Sequence, residues 1–207
     1  RDAFNKDHLV FDGAAGSGKS FLALYLALQA VKNKSFDKII IVRSPTQTID
    51  VGYLPGGIDL SGVGGKLLPF ISPYQKIVND IMGKGYWDSV FGRTIHFEAG
   101  IAIRGITFDD AVVIVDEMQN MTFEEIDTVM TRVGYRSKII WCGDYRQTDL
   151  NKKKNDVSGI LKFFDIAYHM NAFTKIEFTV DDIVRSSLVK DYILAKLQHE
   201  DGATSTN

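Results

Sequence analysis

Gly13, Gly18, Lys19 and Ser20 stand in the spacing G-x-x-x-x-G-K-S within the stretch "FDGAAGSGKSF". That pattern suits the holding of a polyphosphate. Small residues let the backbone wrap phosphate oxygens with its N–H groups turned inward, and a helix that follows presents its positive end. Gly13, Ala14, Ala15, Gly16, Ser17, Gly18, Lys19, Ser20 and Phe21 are therefore the expected nucleotide contacts. Lys19 is expected on the β- and γ-phosphates and Ser20 on a magnesium ion.

A second group completes that chemistry. In "AVVIVDE", Asp116 closes an apolar run, where it can hold the magnesium, and Glu117 follows to orient and deprotonate an attacking water. After the next apolar run comes "GDYRQTDL", which offers Asp144 as a turn or site residue and Gln147 as a neutral contact to water or the γ-phosphate. The N-K-x-D stretch that reads guanine is poorly matched by "NKKKND" at 151–156, so ATP with Mg2+ is the expected ligand pair.

Elements must bring these residues together. Apolar runs bounded by polar or glycine residues recur at 8–13, 38–42, 94–98, 111–117, 138–143 and 175–179, with the length and β-branching of strands. Helical patterns lie between them. "KSFLALYLALQAV" is apolar on nearly all sides. "SPYQKIVNDIM" predicts a helix capped by Ser72 with Pro73 in its first position and Tyr74, Ile77, Val78 and Ile81 on one face. "MTFEEIDTVMTRVG" carries a capping box in Thr122 and Glu125, a staple in Met121 and Ile126, and a stripe of Ile126, Val129, Met130 and Val133 ending at Gly134. Further helices are expected over 158–170 and 186–199. The alternation predicts an α/β fold with a mostly parallel sheet and helices on both faces.

One domain is expected over 1–200, with 201–207 a frayed tail. Residues 44–72 carry six glycines and no firm element, which predicts a substrate-facing or subunit-facing excursion. The 207 residues are 45% hydrophobic and 24% charged, with a net charge of −2 that gives no global attraction to nucleic acid. Cys142, the only cysteine, reads as a buried strand residue. With no run of 18 apolar residues and no leader pattern, the expected location is cytoplasmic, away from membranes.

Taken in order, "GAAGSGKS", "IIVRSPTQTIDVGYLPG", "VVIVDEMQN", "TRVGYRSKIIWCGDYRQTDL" and "DIVRSSLV" resemble the PhoH family of ATPases, from about residue 10 to 189. The resemblance implies a RecA-like P-loop NTPase core, assembly into a ring, commonly a homo-hexamer, and a role in unwinding or processing RNA. It keeps the roles given to Lys19, Ser20, Asp116 and Glu117 and makes Gln147 a sensor. It also makes Arg43 and Thr46 contacts to a nucleic-acid backbone and Arg185 a γ-phosphate contact or arginine finger. Arg132 and Arg136 are candidates for the neighbouring subunit's site. The sequence departs from the family pattern at Arg104-Gly105-Ile106-Thr107, which lacks one positive charge, and at Val184-Arg185-Ser186-Ser187, which lacks a histidine and a proline.

The expectation is thus a magnesium-dependent ATPase coupled to single-stranded nucleic acid, RNA preferred. Tyr53, Lys66, Tyr74, Tyr86 and Trp87 offer rings and a cation for bases and phosphates, although Tyr74 and Trp87 read first as packing residues. The alternative is a nucleotide-gated oligomeric switch that binds protein partners without unwinding. A nuclease reading would use Asp109 and Asp110 with Asp116 and Glu117, but the last two are already needed for the nucleotide and no separate metal constellation stands out.

Overall fold

The computed structural model describes residues 1–44, 67–99, 103, 105–144 and 159–204. Its elements in chain order are α1 (Asp2–Lys6), β1 (His8–Asp12), α2 (Lys19–Lys32), β2 (Lys38–Arg43), α3 (Leu68–Met82), α4 (Tyr86–Val90), β3 (Ile95–Ala99) and β4 (Ala111–Asp116). A short 3-10 turn at Met118–Asn120 then leads to α5 (Phe123–Met130), β5 (Lys138–Gly143), α6 (Gly159–Tyr168), β6 (Phe173–Glu177), a turn at Val180–Asp182, and α7 (Ser187–Thr204).

All six strands form one parallel sheet in the order β3-β2-β4-β5-β1-β6. A strand has a side-chain period of two, so a sheet covered on both faces needs apolar residues at consecutive positions. The continuous runs do this. Leu9, Phe11, Ile39, Ile41, Val112, Ile114, Ile140 and Cys142 enter the core under α2, α3 and α4. Val10, Ile40, Val42, Val113, Val115, Ile139 and Trp141 enter the opposite core under α5 and α6. The edge strand β6 is more exposed and carries Lys175, bonded to Asp12 and Glu177 at 2.9 Å each; charges of this kind discourage further pairing at the edge.

Several expected boundaries move. α3 begins at Leu68, four residues before Ser72, because Pro69 sits in its first turn and the buried stripe extends back through Phe70 to Tyr74 and Val78. Pro73 therefore lies inside the helix, where it has no N–H for the Pro69 carbonyl; Ser72 Oγ lies 3.5 Å from that oxygen. The excursion expected over 44–72 is thus helical from Leu68 onward, and residues 45–66 lie outside the described residues.

α5 has the full Thr122–Glu125 capping box but stops at Met130. Gly134 does not terminate it. Instead Gly134 donates to the Phe108 carbonyl at 3.0 Å, and a Cβ there would meet Asp109 Oδ1 at 2.1 Å. Strand β6 starts two residues early at Phe173, which packs on Phe163, and α7 continues to Thr204 through the expected tail. On α2, Phe21 and Tyr25 are exposed, so that helix is not apolar-buried all round. Among the described residues, no helix is long and apolar enough to cross a membrane.

Candidate nucleotide site

In a parallel sheet every strand ends at the same edge, and a ligand is held there by the loops that leave it. The pairing register puts Arg43 beside Asp116 across β2 and β4, and Asp12 beside Gly143 across β1 and β5. Strand β5 lies between β1 and β4, so its exit at Gly143 and Asp144 falls between the glycine loop and Asp116. These ends surround a cavity of about 560 Å³.

Gly13 to Gly18 bend back from β1 into the start of α2, and two of the glycines cannot be replaced without cost. A Cβ at Gly13 would stand 2.7 Å from the carbonyl oxygen of Phe178, and at Gly16, φ +84°, it would meet Arg185 Nε at 3.0 Å. The loop is tied further by Val184 N–H donating to the Gly16 carbonyl at 3.2 Å. Lys19 Nζ donates to the Gly13 and Ala14 carbonyls at 2.5 and 2.9 Å, which centres its ammonium within the loop.

Ser20, one residue into α2, meets Asp116 as the sequence predicts. Its Oγ lies 2.9 and 3.0 Å from the two carboxylate oxygens. Hydroxyl and carboxylate oxygens suit a hard cation. Among the described residues no cluster of three or more His, Cys, Asp or Glu could hold a metal by itself. The donor set thus fits Mg2+, which keeps waters and completes its shell with phosphate oxygens rather than a protein cage.

Glu117 turns away from the strand direction with φ +56° and ψ +41°, a left-handed conformation that costs a non-glycine residue about 1–2 kcal/mol. Its carboxylate accepts from Gln119 Nε2 at 2.5 Å, and Gln119 Oε1 accepts from the Asp144 backbone N–H at 3.2 Å. Gln119 therefore joins the ends of β4 and β5. Sequence reasoning gave it no role, because its importance depends on β5 lying next to β4.

Arg43 lines this cavity, half-buried, with its guanidinium 5.7 Å from the Phe70 ring centroid. Burial works to lower its pKa, but Tyr74, Asp116 and Glu117 outweigh that and hold it above the ordinary arginine value. Tyr74 is fully buried, consistent with the packing expected of it, but its hydroxyl also donates to Asp116 Oδ2 at 2.7 Å. Burial first, then the Asp116 charge, pushes its pKa well above the usual tyrosine value despite the opposing Arg43. Ser44, at the end of β2, donates to Glu125 Oε1 at 2.7 Å, so the capping glutamate of α5 also anchors the strand exit.

The other expected residues are divided between this cavity and the far end of the sheet. Arg185 is exposed at the cavity wall against Gly16. Arg136 pairs with Asp110 at 2.9 Å, and Asp109 accepts from the Tyr135 N–H at 2.6 Å, both before the start of β4 and so at the opposite sheet edge from Asp116. Arg132 is on that edge too, its backbone carbonyl accepting from Phe108 N–H. Neither arginine reaches its own chain's cavity, and the four acidic residues of the nuclease reading are split between the two ends of one strand. Trp87 is buried and stacked on Phe91, as its packing reading requires. Cys142 is buried in β5, its thiol pKa pushed well up by burial. Thr46, Tyr53, Lys66, Arg104 and Gln147 lie outside the described residues.

A family model described as "PhoH-like protein" matches residues 2–196. The chain belongs to the PhoH-like family. It is 36% identical over 196 residues to a PhoH-like protein of Bacillus subtilis (strain 168), covering 93% of this chain and 59% of that one. It is 31% identical over 192 residues to Protein PhoH of Escherichia coli (strain K12), covering 90% and 52%. The chain thus spans little more than half the length of these PhoH-like relatives. Among solved structures, it resembles the large terminase of a thermophilic bacteriophage in complex with ADP, with a TM-score of 0.52 and 17% identity, over 91% of this chain and 44% of that one. At that identity the likeness concerns the fold alone, an α/β core built on a parallel sheet.

Proposed function

We propose that this PhoH-like chain binds ATP with Mg2+ and hydrolyses it, and that hydrolysis changes its grip on single-stranded nucleic acid, RNA in preference to DNA, within a homo-oligomer. The observation that carries the reading is the meeting of Ser20 with both oxygens of Asp116 beside the glycine loop, with Glu117 next in the chain and all three on one cavity.

The residues divide the work by position. Lys19 exchanges its loop carbonyls for phosphate oxygens, a charge-assisted contact that strengthens as the γ-phosphate gathers charge. Ser20 and Asp116 would hold Mg2+, which would neutralise charge on the phosphates. Glu117, steadied by Gln119, orients a water and takes its proton. Arg185 lies where its guanidinium can approach the phosphates past Gly16. Arg132 and Arg136 are left for a neighbouring subunit's site, and Thr46 and Gln147 for strand contact and γ-phosphate sensing.

A second reading has its own support. Val184, Leu188 and Tyr192, close to Arg185 in the chain, are 76%, 78% and 68% exposed, apolar surface suited to a protein partner controlled by the nucleotide. One experiment separates the two: magnesium-dependent ATP turnover across protein concentration, with and without single-stranded RNA and DNA, with Lys19→Ala and Glu117→Gln as controls. Turnover rising with concentration and again with RNA supports the strand-coupled oligomer. Turnover indifferent to both, yet lost in the controls, favours the switch. Turnover unchanged in the controls sinks the ATPase reading itself.

A further inference from the structure

Tyr74 comes from a helix that belongs to neither the glycine loop nor the strand ends, yet it touches the carboxylate on which cation binding would depend. Its side chain is 1% exposed and packs beside Phe97, with 6.0 Å between ring centroids. From there its hydroxyl donates to Asp116 Oδ2 at 2.7 Å, while Ser20 Oγ approaches the carboxylate from α2. Asp116 is itself only 5% exposed. A phenol has one proton to give. With that proton donated to Asp116, the hydroxyl is committed to the carboxylate, and the positive charge of Arg43, which lines the same cavity, acts on its oxygen.

The donation therefore runs from Tyr74 to Asp116, and the positive charge of Arg43 turns the hydroxyl proton away from itself and toward that carboxylate. An ordinary buried tyrosine also needs a partner for its hydroxyl, and any nearby carbonyl would satisfy it. Here the partner is half of the Ser20–Asp116 pair. A carboxylate that binds a cation must present one oxygen in a set direction, and hydrogen bonds from behind the ligand set that direction.

We propose that Tyr74 is a positioning residue for divalent-cation binding at Asp116, with Arg43 fixing the direction of its hydroxyl. The proposal rests on the nucleotide reading above and adds to it a role for α3, the helix that follows residues 45–66. Tyr74→Phe keeps the ring and its packing but removes the donor. Arg43→Lys keeps a positive charge near the cation but moves it from the place the guanidinium holds beside the Tyr74 oxygen.

The test measures binding rather than turnover: Mn2+ titrated into protein with saturating ADP, free Mn2+ being read by electron paramagnetic resonance, and ADP affinity measured separately in chelator. Tyr74→Phe is expected to weaken Mn2+ binding about tenfold, in the range found for outer-shell partners, with metal-free ADP affinity nearly unchanged. Arg43→Lys should weaken it less, and the double variant should be no worse than Tyr74→Phe alone, because the arginine acts through the tyrosine. Mn2+ affinity equal to wild type in Tyr74→Phe overturns the proposal, as does a parallel fall in metal-free ADP affinity. Should Tyr74→Phe fail to fold, Arg43→Lys decides, and unchanged Mn2+ affinity there is the overturning result. A wild-type protein that binds neither ADP nor Mn2+ with ADP refutes the nucleotide reading instead.

Discussion

Gly143 is the last residue of β5, and replacing it with alanine tests how closely the ends of β4 and β5 are fitted. A Cβ built there stands 2.5 Å from Met118 Cγ and 3.0 Å from Gln119 Oε1. Unstrained carbon contacts lie at about 3.5–4.0 Å, so Met118 must yield by about 1 Å. It has no open direction, being 1% exposed within the core on that face. The displacement passes into the turn at Met118–Asn120, which carries Gln119 and adjoins Glu117. Overpacking of this kind costs about 1–3 kcal/mol of stability. Misplacing a water-orienting group by about 1 Å costs about 10²-fold in turnover. The expected result is a lower melting temperature, turnover down by about that factor, and ADP affinity almost unchanged, because Lys19 and Ser20 do not move. Met118→Ala in the same chain should restore part of the turnover while lowering stability further. A Gly143→Ala protein with wild-type melting and wild-type turnover would refute the packing argument.

Glu117→Gln keeps the bulk of the side chain and removes the base, so turnover should fall by about 10²–10⁴-fold while Mg2+-dependent nucleotide binding, measured with a fluorescent analogue, persists. Gly134→Ala drives a methyl against Asp109 at the opposite edge of the sheet, and chemical denaturation should show a loss of about 1–3 kcal/mol with no change in nucleotide affinity. Burial, then Lys138, lowers the pKa of His8, whose Nδ1 accepts from the Ile139 N–H at 3.2 Å. The folded state therefore binds the proton less readily than the unfolded chain. Stability from this group is complete above 6.5, the ordinary histidine value, and is lost as pH falls from there through the lowered folded value. Denaturation curves between neutral and mildly acid pH should show that slope, and His8→Gln should flatten it.

The local chemistry of the site was legible because it is written in consecutive residues. The glycine loop needs small residues at fixed spacing, Asp116 and Glu117 close an apolar strand, and Thr122 with Glu125 caps α5. Each depends on backbone geometry within a few residues, and hydrophobic period was enough to place five of the six strands within a residue or so of their ends. The sequence therefore determined the class of fold and the residues around a phosphate.

Only the tertiary structure could decide contacts between segments distant in the chain. Ser72-Pro73 resembled a helix start, but the buried stripe through Phe70, Tyr74 and Val78 drew the helix back to Leu68 and put Tyr74 against Asp116, 42 residues away. Arg43 shares the cavity of Asp116 because β2 and β4 are neighbours in register. Gln119 connects Glu117 with Asp144 because β5 lies between β1 and β4. Strand order and helix packing are settled by burial summed over the whole molecule, a quantity no short window of sequence contains.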